Sequence, residues 1–203
     1  MTILSVNKTR DLMGALRLFF LFMGADCAHF LLSGDNFMKK HTRHLVHAAI
    51  IAALYVVLTH FQNLLLPGST TWAIQMRLSE ALCVLAMFTP AAIPGLSVGC
   101  LLFNLTYAAA LPLDFLVGTL ATYLAAQGMW LLRKYPLPAL LLPAVTNAFL
   151  VGWELSVYIG GAFWVNAAYV AAGEAIVLLV LGSVLHAAIR ARKLDVRLFG
   201  ERR

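Results

Sequence analysis

The sequence predicts an all-α, polytopic membrane protein with six transmembrane helices and both termini in the cytoplasm. Of its 203 residues, 62% are hydrophobic and only 12% are charged. Average globular chains, by comparison, are about half apolar and about a quarter charged. The apolar residues form long continuous runs, which are typical of helical spans and not of the alternating strands of a membrane β-barrel.

The apolar runs follow one another at short intervals. We expect spans at about 44–61, 78–88, 93–111, 115–132, 138–159 and 164–189. A turn rich in proline and glycine, residues 89–95, joins the short second span to the third as a tight hairpin. Asp114 stands just before the fourth span, where a carboxylate is well placed to cap a helix.

The domain organisation follows from two features near the N-terminus. Residues 1–37 contain an apolar run interrupted by Arg17, Asp26 and His29, which makes it a poor span. Met38 and the two lysines after it are typical of a start. We therefore predict a dispensable or not normally translated extension at 1–37, a six-helix membrane domain at 38–190 and a basic cytoplasmic tail at 191–203.

The basic residues set the topology. The predicted inner ends hold 11 of the 15 Lys and Arg residues, the extension holds three, and only Arg77 lies outside. This distribution accounts for the net charge of +6, so we expect a lipid bilayer and no nucleic acid as the surroundings of the basic residues. Residues 67–72 are then an outer loop, which we expect to act as a lid over a site reached from that face.

Polar side chains within the spans are candidates for a binding site, because an unsatisfied polar group in hydrocarbon costs several kcal/mol. Asn147, Glu154 and Tyr158 share one stripe of the fifth span. Glu174 lies on the sixth span and Asn104 on the third. We favour a site for Glu154, Glu174 and Asn104; the alternative is hydrogen bonding between helices alone.

Two further pairs leave alternatives open. Arg77 and Glu80 open the second span, where they either line the entrance to a site or pair with each other. Trp153 and Tyr158 lie near the outer end of the fifth span. They either anchor the protein at the membrane interface or stack on a planar ligand beside Glu154.

Small residues on the first span form two overlapping patterns with a spacing of four: Ala48 with Ala52, and Ala49 with Ala53. This spacing lets another helix approach closely. The pattern indicates either internal packing or a surface on which a partner protein docks.

Several motifs of catalysis are missing from the sequence. There is no GxxxxGK[ST] phosphate loop, so the chain does not hydrolyse ATP through that machinery, and there is no HExxH, CxxC or GxSxG. We therefore expect no catalytic residue, no cofactor and no metal ion. The acids are dispersed on separate spans, which disfavours an integral-membrane enzyme.

The segments RLSEAL at 77–82 and TPAAI at 89–93, with the first span from 47 to 59, resemble the QueT family of queuosine-precursor transporters. The resemblance covers about residues 38–190. It implies an S-component of an energy-coupling-factor (ECF) transporter in a bacterial cytoplasmic membrane, which captures a vitamin-like substrate. Its partners would be a transmembrane coupling protein and two cytoplasmic ATPases, with the alanine face of the first span as the docking surface.

The implied substrates are 7-deazaguanines, chiefly the aminomethyl or cyano precursor of queuosine. A carboxylate can accept from N1–H and the exocyclic amine together, the ring carbonyl needs a donor, and an aminomethyl cation favours a second carboxylate. Glu154 and Glu174 are expected to fill these two carboxylate roles in either order, with Asn104 as the donor. The alternatives are an S-component for another nutrient, a membrane enzyme, or a structural subunit.

Overall fold

The computed structural model describes residues 35–70, 76–107, 110–111 and 113–199, and the regular structure within these ranges is entirely helical. Six main helices in this part of the chain, followed by a short π-helix at Asp195–Phe199, confirm the predicted all-α class. We name them in chain order: α1 (Asp35–Leu65), α2 (Leu78–Met87), α3 (Ala92–Thr106), α4 (Asp114–Leu131), α5 (Pro136–Tyr158) and α6 (Phe163–Ala191).

Three of these helices are long and apolar enough to cross a membrane: His41–Leu65 within α1, Pro136–Tyr158 and Phe163–Ala191. The apolar helices α2 and α3 are shorter. The placement of both termini in the cytoplasm stays a prediction.

The chain divides into two compact units, residues 1–43 and 44–203, and the site described below lies in the second. Most of the predicted extension, residues 1–34, lies outside the described residues, as do residues 200–203 of the predicted tail. The proposed dispensability of the extension therefore stays a prediction.

The predicted boundaries differ from the structure at two helices. Helix α1 begins at Asp35 and not near residue 44, so it includes the lysines at 39 and 40. Helix α3 ends at Thr106 and not near residue 111, because the backbone at Tyr107 adopts an extended conformation (φ −87°, ψ 113°). Apolar composition alone did not reveal this early end, since residues 107–111 are as apolar as the helix before them.

Helix α2 is a 3₁₀ helix of 10 residues. Because a 3₁₀ helix rises about 2.0 Å per residue, it covers about 20 Å, a third more than an α-helix of the same length. The short second span therefore reaches further through the protein than an α-helix with the same number of residues would.

Glycine and alanine bring α1 and α3 into close contact. A Cβ atom added at Gly95 would meet the Ala48 carbonyl oxygen at 2.7 Å, and one added at Gly99 would meet the Tyr55 Cβ at 2.7 Å and the Ala52 carbonyl oxygen at 3.0 Å. Gly95 and Gly99 are four residues apart, as are Ala48 and Ala52, so the two small-residue faces meet. This contact presses Tyr55 into the interior of the protein.

Helices α5 and α6 approach each other in the same way. A Cβ atom at Gly152 would lie 2.8 Å from the Ala167 Cα atom. Beside this contact, a small apolar cluster joins α4, α5 and α6 through Val117, Val151, Leu155 and Val170. The backbones of α5 and α6 are thereby held close together beside Glu154.

Candidate functional site

Polar side chains from all six helices form one buried group, which extends from the starts of α2 and α4 to the middle of α5 and α6. Because successive helices joined by short connections alternate in direction, the ends of α1, α3 and α5 lie near the starts of α2, α4 and α6. We call the group the polar cluster, and each member is at most 6% exposed. Its members are Tyr55, Arg77, Glu80, Asn104, Asp114, Asn147, Glu154 and Glu174.

Arg77 is the central cation of the polar cluster. Its Nε donates a hydrogen bond to the Thr70 carbonyl oxygen at 3.3 Å. It lies within electrostatic range of the carboxyl groups of all four acids of the cluster. Gly118 on α4 makes room for the neighbouring Asn104, since a Cβ there would lie 2.9 Å from the Asn104 Nδ2 and in ordinary contact, at 3.8 Å, with an Arg77 terminal nitrogen.

Glu80 is held by neighbours other than Arg77. The Tyr55 hydroxyl donates to one carboxylate oxygen at 2.7 Å, and the Cys83 thiol donates to the other at 3.1 Å. Arg77 and Glu80 are therefore both buried and bonded to other residues, and their role at the entrance to a site stays a prediction.

Glu174 is oriented by Asn147. The Asn147 Nδ2 lies 2.7 Å from both carboxylate oxygens of Glu174 and donates to them from α5 to α6. Each of these oxygens can accept one more hydrogen bond, because a carboxylate oxygen has two lone pairs. Glu174 therefore keeps accepting capacity in a fixed orientation.

Glu154 differs from Glu174 because its hydrogen-bonding neighbour is another carboxyl group, that of Asp114, and a bond between two acids needs a shared proton. Without such a proton, four buried oxygens among the described residues have no hydrogen-bond partner: Glu154 Oε1, Glu154 Oε2, Asp114 Oδ1 and Asn104 Oδ1. We call these four atoms the open oxygens. The carboxyl groups of Glu154 and Asp114 are close enough to interact with each other.

Asp114 and Asn104 are each held in place by their other side-chain polar atom, the Oδ2 of Asp114 and the Nδ2 of Asn104. Asp114 Oδ2 accepts from the Leu111 backbone N–H at 2.7 Å, and the Asn104 Nδ2 donates to the Asp114 carbonyl oxygen at 2.8 Å. The expectation that Asp114 caps α4 is wrong, because its carboxylate closes the preceding turn and does not bond to the N–H groups of the helix. This leaves Asp114 Oδ1 within the polar cluster.

The polar cluster carries an excess of acid. It contains four carboxyl groups and one guanidinium, and no lysine is among the buried residues of the described chain. Burying unpaired carboxylates is costly, so the cluster favours a cation, protons, or a ligand rich in hydrogen-bond donors. The described residues contain no group of three or more His, Cys, Asp or Glu side chains arranged to hold a metal ion.

The two predicted aromatic residues do not join the polar cluster. Trp153 is 50% exposed and Tyr158 is 42% exposed, on the outer face of α5. Their position matches the interface-anchoring alternative and gives no support to ligand stacking.

The four alanines of the first span separate into two pairs. Ala52 is buried and Ala48 half-buried against α3, whereas Ala49 and Ala53 are exposed. A docking surface on α1 is therefore confined to the second pair.

The outer loop is tied to the end of α1 on both sides. The Gln62 side chain donates to Ser69 Oγ at 2.9 Å and to the Met76 carbonyl oxygen, and it accepts from the Leu78 N–H at 2.7 Å. Thr70 Oγ1 also donates to Asn63 Oδ1 at 3.0 Å. Residues 71–75, including Trp72, lie outside the described residues, so the lid stays a prediction.

Sequence reasoning did not select Tyr55 or Asp114 as site residues. A signal for each was available. Tyr55 lies three residues after Ala52, on the small-residue face that enters the interior. Asp114 starts a span at the same predicted end as Arg77, and alternating topology alone would have placed the two together.

These features define a multi-pass helical membrane protein with a buried polar cluster. A family model described as "QueT transporter" matches residues 45–191. The chain belongs to the QueT transporter family, and it is a transport protein. Searches of curated proteins and of solved structures found no match to the chain.

Proposed function

We propose that this protein is the S-component of an ECF importer in a bacterial cytoplasmic membrane, and that it captures a 7-deazaguanine at the outer face. The observation that carries the proposal is the set of open oxygens inside an acidic, buried cluster of a QueT family member. Such oxygens are costly in an empty site and are satisfied by a ligand rich in donors. A 7-deazaguanine presents N1–H and an amine side by side on one edge.

The structure suggests an order for the two carboxylates. Glu174, held by Asn147, has one accepting position left on each oxygen, which suits the paired donors of the base edge. Glu154 then faces the substituent at position 7 of the ligand. Arg77 is the candidate donor to the ring carbonyl, because the Asn104 Nδ2 is already committed to the Asp114 carbonyl oxygen.

The ligand itself is the first test. We expect detergent-purified protein to retain or bind 7-aminomethyl-7-deazaguanine, detected by native mass spectrometry and measured by calorimetry. Glu174→Gln should weaken binding roughly 10- to 100-fold, because a hydrogen bond to a charged group is worth about 1.5–3 kcal/mol. Ser156→Ala is the matched control on the α5 side, since the Ser156 hydroxyl donates to the Trp153 carbonyl oxygen of its own helix.

Two outcomes would count against this assignment. Unchanged affinity in Glu174→Gln would remove Glu174 from the base-reading role. A protein that ignores 7-deazaguanines but binds another nutrient would keep the transporter class and withdraw the substrate.

Docking to an energising module is the second part of the proposal. The sequence has no phosphate loop, so ATP hydrolysis would belong to two cytoplasmic ATPases that act through a transmembrane coupling protein. The exposed face of α1 offers Ala49 and Ala53 beside Val46, Ile50 and Val57, which are about half exposed or more. Small residues there would let a partner helix approach closely.

We expect Ala53→Leu to reduce co-purification of the coupling protein while leaving ligand binding intact, because leucine would hold the partner helix away. Ala172→Leu is the control, since Ala172 is an exposed alanine on α6. The measurement is the yield of the complex in a pull-down through a tag on the coupling protein. An equal loss in both variants would show that α1 has no special part in docking.

A further inference from the structure

We propose that Asp114 and Glu154 form a subsite for a protonated amine, and that the protein thereby selects a cationic 7-deazaguanine over a neutral one. The proposal rests on the proposed function for the identity of the ligand. It adds Asp114 as a specificity residue and assigns a reason to the excess of acid in the polar cluster.

The geometry of the open oxygens carries the inference. All four lie on three residues that are at most 6% exposed, and Glu154 itself is 0% exposed. The Asp114 and Glu154 carboxyl groups lie within hydrogen-bonding range of each other across the interface between α4 and α5, where only a shared proton can join two acids. The Asn104 amide touches the Asp114 backbone, so its oxygen belongs to the same small region.

Each of these four atoms is a hydrogen-bond acceptor. An alkylammonium group has three N–H donors and no acceptor, so its donors match a lining made only of oxygens. A nitrile group is an acceptor without a donor, and at the same place it would leave the oxygens unsatisfied. The subsite therefore distinguishes two substituents of similar size by hydrogen bonding and by charge.

Charge favours the same occupant. Two facing carboxylates repel each other unless one of them takes up a proton, and a cation bound beside them can replace that proton. Arg77 does not fully take that role, because its Nε is committed to the Thr70 carbonyl oxygen and the guanidinium also faces Glu80 and Glu174. The remaining negative charge is available to a cationic ligand.

The test compares the 7-aminomethyl and 7-cyano forms of 7-deazaguanine by calorimetry on the full chain. We expect the unaltered protein to prefer the aminomethyl form at least about 10-fold, the fold-change of one charge-assisted hydrogen bond. Asp114→Asn and Glu154→Gln should each remove most of this preference by weakening the aminomethyl form only. Ser156→Ala should keep the preference.

Asp114→Asn is the informative variant because the asparagine Oδ1 can still accept from the Leu111 N–H, so the turn is preserved. A purely structural role for Asp114 would weaken both ligands equally, and this result would overturn the proposal. Equal affinity of the unaltered protein for both ligands would overturn it too, while leaving the proposed function intact. Binding of neither ligand would remove the proposed function and this inference together. A requirement for sodium in the binding of both ligands would assign the open oxygens to a metal ion and overturn the proposal.

Discussion

Arg77→Met is expected to destabilise the folded protein by about 3–5 kcal/mol, the typical cost of removing one partner from a buried charge network. Among the described residues, Arg77 is the one cation that lies near all four carboxyl groups of the polar cluster, and it is 3% exposed. Without it these carboxyl groups must bind protons or draw in water. The measurement is the thermal unfolding midpoint in detergent, together with the monodisperse yield.

Lys134→Met provides the control, because Lys134 is an exposed cation in the turn between α4 and α5. It should leave the midpoint unchanged. The double variant Arg77→Met/Glu154→Gln should recover part of the loss, since it removes one of the carboxylates left without a counter-charge. A midpoint unaffected by Arg77→Met would show that the acids of the cluster are neutral without it.

Gly99→Leu is the second large effect, and we expect it to prevent normal packing of α1 on α3. A Cβ atom at this position would meet the Tyr55 Cβ at 2.7 Å, and both helices would have to separate to admit a leucine. Overpacking typically costs about 1–3 kcal/mol, and backbone contact places this site at the upper end. The displacement would also move Tyr55 away from Glu80, so ligand binding should fall together with stability.

The matched change is Ala53→Leu, which adds a leucine to the exposed face of α1, one residue from the buried Ala52. The isolated subunit should keep its unfolding midpoint in this variant. Gly99→Ala should lie between the two, because it adds only the first clashing atom. Equal midpoints for Gly99→Leu and the unaltered protein would contradict the close approach of α1 and α3.

The helical class and the approximate spans could be predicted from the sequence because the cost of exposing backbone in lipid permits few alternatives. The same cost argument selected Glu154, Glu174 and Asn104, and the structure places all three in the polar cluster. Hydropathy could not predict where α3 ends, since the turn after Thr106 is set by backbone geometry within an apolar run.

Side-chain direction was harder to predict than depth. Glu154 and Tyr158 share a helical stripe, yet Glu154 is buried and Tyr158 is exposed at the last residue of α5. Similarly, the spacing of four placed Ala48 and Ala49 in equivalent patterns, and only the position of α3 decides which pair is covered. Both outcomes depend on neighbouring helices, which periodicity within one segment does not report.

The 3₁₀ form of α2 has a consequence for how this segment can vary. With three residues per turn, side chains three apart lie directly above one another, so Glu80, Cys83 and Ala86 form one straight row, and all three are fully buried. Removing a single residue from α2 would rotate everything after it by about 120°, which is the separation between one row and the next. A neighbouring row would then take the buried position of this one. Substitutions along α2 are therefore constrained with a period of three, whereas the α-helices around it vary with a period of 3.6.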